Sequence, residues 1–194
     1  MLIWNFNGQG PYTPPGQVFT TCLGTAVAFS AGPAVAYAGL ALANPATVAG
    51  KAPVKLVPLR VNFTPSAAVS GTIPWGLMKL TGQGTASNGG LSLYSGVIMS
   101  PGYAGTVPAT VPVGQLGGTF SVSGGTAAGT GSNTLYWLEM CGNANNGTGA
   151  PSPPVDLLGF ASVMPGETLV IAPLLAVTAT AGLTWCEVPL NSGS

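Results

Sequence analysis

Chemistry at neutral pH needs side chains that exchange protons, hold metals or attack carbonyls, and this chain has few of them. Its 194 residues include four basic and four acidic side chains and no histidine. General acid–base work usually falls to histidine or to carboxylates paired in a pocket. Without histidine, Ser-His-Asp and Cys-His sites are excluded by composition. No SxxK spacing offers a serine–lysine alternative. The acids Glu139, Asp156, Glu167 and Glu187 are well separated along the chain. Glu139 and Glu187 each follow a tryptophan by two residues, Trp137 and Trp185. On adjacent strands the two carboxylates could approach and share a proton. The ordinary expectation is that each is a solvent-facing glutamate of an alternating strand.

Metal and cofactor chemistry finds equally little. Cys22, Cys141 and Cys186 have no metal-ligand spacing and form no CxxC pair, and an odd count does not make a complete disulfide framework. They read as free, buried, small apolar residues. Gly82-Gln83-Gly84 does not continue as GxGxxG, and no GxxxxGK[ST] occurs, so no phosphate cradle and no cofactor are expected. Lys51, Lys55, Arg60 and Lys79 carry all the positive charge and are too few for a nucleic-acid footprint. Asn62-Phe63-Thr64 and Asn146-Gly147-Thr148 match the glycosylation sequon, which has meaning only in a secreted chain. A sugar-binding groove would need exposed aromatics near amides. Trp75 and Trp4, with the Asn-rich loop 143–146, are the candidates, while Trp137 and Trp185 read as core.

The elements that must position these residues are strands. Charged residues make up 4% of the chain, against roughly 25% in a typical soluble domain. Glycine (30) and proline (18) are abundant, and short Val, Leu, Ile and aromatic runs lie between them. No segment sustains a helical period, and that combination predicts many short strands joined by tight turns. Gln17–Phe29 offers two β-rich halves around Gly24, and Ala34–Leu42 ends at the Asn44-Pro45 turn signal. In 53–63, Lys55, Val57, Leu59, Val61 and Phe63 share one parity, which predicts a strand with Val57, Leu59, Val61 and Phe63 on the core. Pro58 lacks an amide donor, so that strand is bulged or lies at an edge. Further strands are expected over 72–80, 90–99, 107–113, 119–123, 134–141, 154–163, 168–172 and 174–188, with Pro165-Gly166 in a tight reversal. Gly-rich stretches 82–90, 124–131 and 142–149 read as loops. The expected architecture is an all-β single domain over 18–194, a sandwich or barrel.

Residues 1–17 read as an extended arm. Trp4, Phe6 and Tyr12 are separated by Asn, Gly and Pro, and Pro11, Pro14 and Pro15 enforce extended backbone. Such a segment has no core of its own and must lie on its own domain or on a neighbour. The opening residues have no basic start and no apolar core of a secretory signal. The uncharged stretch 168–185 contains Pro173 and Gly182 and reads as two strands, so no membrane span is expected.

A neutral, weakly polar surface promotes association. All four cations lie in 51–79 and all four anions in 139–187, which leaves two readings. Either early and late strands pair their charges within one chain, or the basic segment of one copy meets the acidic segment of the next. The aromatic arm residues Trp4, Phe6 and Tyr12 and the cations Lys51, Lys55 and Arg60 are the candidate inter-subunit contacts.

Gly39–Thr64, GLALANPATVAGKAPVKLVPLRVNFT, is similar to a pattern in tailed-phage structural proteins: a Gly-Leu-x-Leu strand, an Asn-Pro turn, a polar Lys-containing loop and an alternating strand. Pro165–Leu190 resembles their closing hairpin, which ends in a Trp-x-Glu-x-Pro strand, here Trp185-Cys186-Glu187-Val188-Pro189. Together these stretches cover about a quarter of the chain. The resemblance implies a virion component, a capsid decoration or cement protein with a jelly-roll-like fold. It carries over no functional residues. Its partners would be copies of itself, as a trimer or another symmetric oligomer, and a major capsid protein. Assembly would take place in the host cytoplasm, where free cysteines persist. The alternative is a tail or fibre module that binds a host surface glycan.

Overall fold

The structure is a computed structural model and describes residues 18–23, 25–32, 36–45, 52–66, 71–81, 92–93, 98–99, 114–121, 134–144, 153–157 and 161–190. Among these residues there are strands and no helix. The strands are β1 (Val18–Cys22), β2 (Val27–Phe29), β3 (Ala36–Asn44), β4 (Val54–Pro65), β5 (Ile73–Thr81), β6 (Ser92–Leu93), β7 (Ile98–Met99), β8 (Gln115–Ser121), β9 (Thr134–Ala144), β10 (Val155–Asp156), β11 (Glu167–Pro173) and β12 (Val177–Pro189). They form two antiparallel six-stranded sheets. One runs β10-β4-β12-β1-β7, with β2 also on β12. The other runs β6-β8-β3-β11-β5-β9.

The first sheet is organised by its longest strand, β12. Its start pairs with β2 (Ala179 opposite Val27) and its middle with β1 (Gly182 opposite Cys22). The two halves expected around Gly24 therefore lie end to end along one side of β12. Leu23 continues the ladder between them by donating its amide to the Ala181 carbonyl at 2.9 Å. On the other side β12 pairs with β4 from Ala179–Pro65 to Pro189–Val54. The expected reversal before β11 is present. Met164 and Glu167 close it with a 2.9 Å backbone bond, and Gly166 has φ +85°. That is the left-handed backbone a Pro-Gly type II turn requires at its third position.

Both sheets contribute to one apolar core. Val54, Leu56, Val61 and Phe63 of β4 and Leu183 and Trp185 of β12 meet Leu40 and Leu42 of β3, Trp75 and Leu77 of β5, and Leu169 and Ile171 of β11. Aromatic rings pack within the first sheet, and the pair Phe63–Trp75 links it to the second. Phe29 meets Phe63 edge-on at 5.1 Å, and Phe63 lies 5.4 Å from Trp75. Phe19 stacks on Trp185 at 5.6 Å. Among the described residues the architecture is all-β, two antiparallel sheets that share one core.

One expected face is corrected. Val57 and Leu59 do not join Val61 and Phe63. They pack with Cys186 in a separate cluster. The cause is a bulge at Leu59, next to Pro58. Thr184 pairs with Arg60 and Trp185 with Pro58, so Leu59 is an extra residue. One extra residue inverts a two-residue period. The inner face therefore reads Val54 and Leu56 before the bulge and Val61 and Phe63 after it. The expected strand over 90–99 is two short strands in different sheets, β6 and β7. The expected strand over 107–113 and the arm 1–17 lie outside the described residues.

Sheet two is apolar on both faces. Ala41, Met78, Leu80, Val170 and Ala172 form a buried cluster on the side away from the common core, with Trp137 against it. The consecutive β11 residues 169–173 are consequently all apolar and buried, and strict alternation is absent there.

Candidate functional site

The sequence-predicted chemical residues do not converge. Glu139 lies on β9 and Glu187 on β12, strands of different sheets that do not pair, so the shared-proton arrangement does not form. Glu187 is also not the solvent-facing residue expected. It is 7% exposed, and its carboxylate accepts a 2.8 Å bond from the Gly114 amide. A Cβ on Gly114 would press on Trp185 Nε1 and on the methyls of Leu42 and Leu56, so glycine is what lets this amide reach the acid. Asn44, at the expected Asn-Pro boundary, is the last residue of β3. Its amide donates to the carbonyls of Val54 and Val163, both at 2.8 Å, and so clasps the two sheets together. Neither role had a sequence signal beyond residue type.

Trp75, the candidate for sugar stacking, is 1% exposed, with its ring against Phe63. A ring buried on the inner face cannot stack on a ligand, and Trp75 is a core residue. Trp185 is fully buried, as expected, whereas Trp137, also expected in the core, is half-buried against the outer cluster of the second sheet. Trp4, Phe6, Tyr12 and Lys51 lie outside the described residues.

The described charges pair largely within the chain, and early strands meet late ones. Arg60 on β4 donates to Asp156 on β10 at 2.7 Å. The bond to Asp156, then its charge, raises the Arg60 pKa further. Both groups are more than half exposed, where such pairs contribute little. Lys79 on β5 meets Glu167 at 2.5 Å and also donates to the Ser162 carbonyl at 2.9 Å. Glu167 in turn accepts from the Met164 amide at 2.7 Å. This second pair is mostly shielded from water and fastens β5 to the turn that starts β11. Among the described residues, Lys55 and Glu139 have no ion-pair partner.

The three cysteines are free, but only Cys186 is fully buried; Cys141 is half-buried and Cys22 exposed. Burial, with Glu139 adding to it, pushes the Cys141 thiol up to about 12. Burial pushes Cys186 up to about 11. Neither is a nucleophile at neutral pH. Among the described residues no three His, Cys, Asp or Glu side chains gather as metal ligands, and no helix is long and apolar enough to cross a membrane.

What stands out is a surface. β9 is the last strand of the second sheet, and among the described residues only β5 pairs with it. It is 11 residues long and carries one charge, Glu139. Tyr136 and Met140 are exposed large side chains (39% and 44%), and Trp137, Leu138 and Cys141 are half-buried. Two register shifts, around Cys141 and Leu138, turn successive apolar side chains of β9 to both faces. Leu174 and Leu175, exposed at the β11–β12 connection, extend this apolar character to the Pro74 end of β5, where Leu174 donates its amide to the Pro74 carbonyl at 2.8 Å. TLYWLEMC was legible in sequence as the densest aromatic run. That it lies at an edge was not, because strand order is a long-range property. The chain matches no protein-family model, no curated protein and no solved structure.

Proposed function

We propose that the chain is a non-enzymatic structural subunit of a virus particle, a decoration or cement protein of a tailed phage that stabilises the shell through subunit contacts. The observation that carries this reading is β9. A long, nearly uncharged edge strand with Tyr136 and Met140 exposed is a surface that folded monomers ordinarily blunt with charge or cover. The two antiparallel sheets around one core are compatible with a jelly-roll-like capsid module. In this reading the partners are copies of the chain and a major capsid protein, and the arm 1–17 clasps a neighbour.

Sedimentation velocity on the purified chain should give a closed oligomer. Co-expression with a tailed-phage major capsid protein that assembles into shells should carry the chain into the shell fraction of a sucrose gradient. A chain that stays at the top of the gradient overturns the virion reading. Deleting residues 1–17 should reduce oligomer size or shell association; an unchanged result on both sinks the arm's role.

A further inference from the structure

We infer that the β9 edge docks on a second copy of this chain, at the apolar surface around Lys55, with Glu139 of one copy paired to Lys55 of the next. The inference rests on the assembly reading above and specifies its contact. Two isolated charges point to it. Arg60 and Lys79 are satisfied by Asp156 and Glu167 within the chain, and Glu187 is held by the Gly114 amide. Glu139 and Lys55 have no ion-pair partner among the described residues. Each sits alone in an apolar surround. Glu139 is exposed on β9 near Tyr136 and Met140. Lys55 lies on β4 opposite Val188, beside exposed Pro53 and Pro189.

The alternative use of β9 is pairing with its own copy across a two-fold axis. Glu139 is the central residue of β9, so a centred antiparallel pairing would set two carboxylates against each other. The edge therefore favours a cationic acceptor, and Lys55 is the unpaired cation of this chain's described residues. The Glu139 and Lys55 patches lie on different sheets, so the contact joins two unlike patches of the surface. With apolar rims excluding water, the pair sets register and rejects wrong partners more than it adds raw affinity.

The test is a charge swap on the full chain, read by light scattering across a dilution series, with thermal melting confirming that every variant folds. E139K alone and K55E alone should each raise the dissociation constant roughly tenfold or more, because each places like charges in contact. The E139K/K55E double variant should restore assembly. Single variants that assemble like the wild type, or a double variant that stays dissociated, overturn the pairing while the assembly reading stands. E139Q that tightens the oligomer overturns it too, since only two-fold pairing of β9 gains from losing that charge. A wild-type chain that is monomeric throughout overturns both readings.

Discussion

Trp75 shows how one residue's environment decides between function and packing. The indole is 1% exposed and meets Phe63 across the sheets, with Leu77 two residues on in the same core cluster. Truncating it leaves a large cavity between two layers that cannot close independently. Trp75→Ala should cost about 3–5 kcal/mol of unfolding free energy, measured by denaturant titration. A change close to zero would mean that the ring is not in the core. Its residue type suggested either role, because tryptophan is common both in cores and in sugar clefts, and only burial separates them. Glu187 was misjudged for a related reason. In an alternating strand its parity was visible, but it shares that parity with Trp185 and so points inward. The buried acid is tolerated because the Gly114 amide meets it, and Gly114 lies 73 positions away in sequence. No local pattern contains that partner.

Strands were more legible than their faces. The split around Gly24, the Pro165-Gly166 reversal and the two-strand reading of 168–185 depend on local turn chemistry and all appear in the structure. The phase of β4 does not, because the bulge beside Pro58 exists only in the pairing with β12. The missing amide of Pro58 points to a bulge or an edge, and neither by itself contains the phase inversion. The same long-range geometry makes Gly76 critical. A Cβ there would sit against the Glu139 carbonyl oxygen well inside van der Waals contact, with the Met140 Cα close by. Both are backbone atoms of the bulged β9, so the neighbour cannot rotate away. Gly76→Ala should destabilise the protein by about 2 kcal/mol, within the range for overpacking, and should loosen β9 specifically. Hydrogen exchange of the β9 amides is the local readout. Gly182→Ala is the comparison: its closest neighbour is the Asn62 side-chain amide, which can turn aside, so its cost should be smaller. Equal costs would contradict the role assigned to the β9 backbone.

At the scale of the whole molecule, scarcity of charge sets the response to pH. No histidine is present, and no titration of histidine separates pH 5 from pH 8. The midpoint of thermal unfolding should therefore be nearly flat across that window. Above it the thiols take over. Cys141 and Cys186 have folded pKa values raised to about 12 and about 11, from an ordinary 9.0. A raised folded pKa means that the unfolded chain releases its proton first. The associated stability is fully present below about pH 9 and is lost as pH climbs toward 11–12. Calorimetry should show a plateau up to about pH 9 and then a falling midpoint, and Cys186→Ala should make that fall shallower. At pH 8 the native chain should react with a thiol reagent at the exposed Cys22, while Cys141 and Cys186 become reactive only on unfolding. A steep midpoint change between pH 5 and 8 would place the pH response in the few carboxylates, and rapid native labelling of Cys186 would contradict its burial beside Val57 and Leu59.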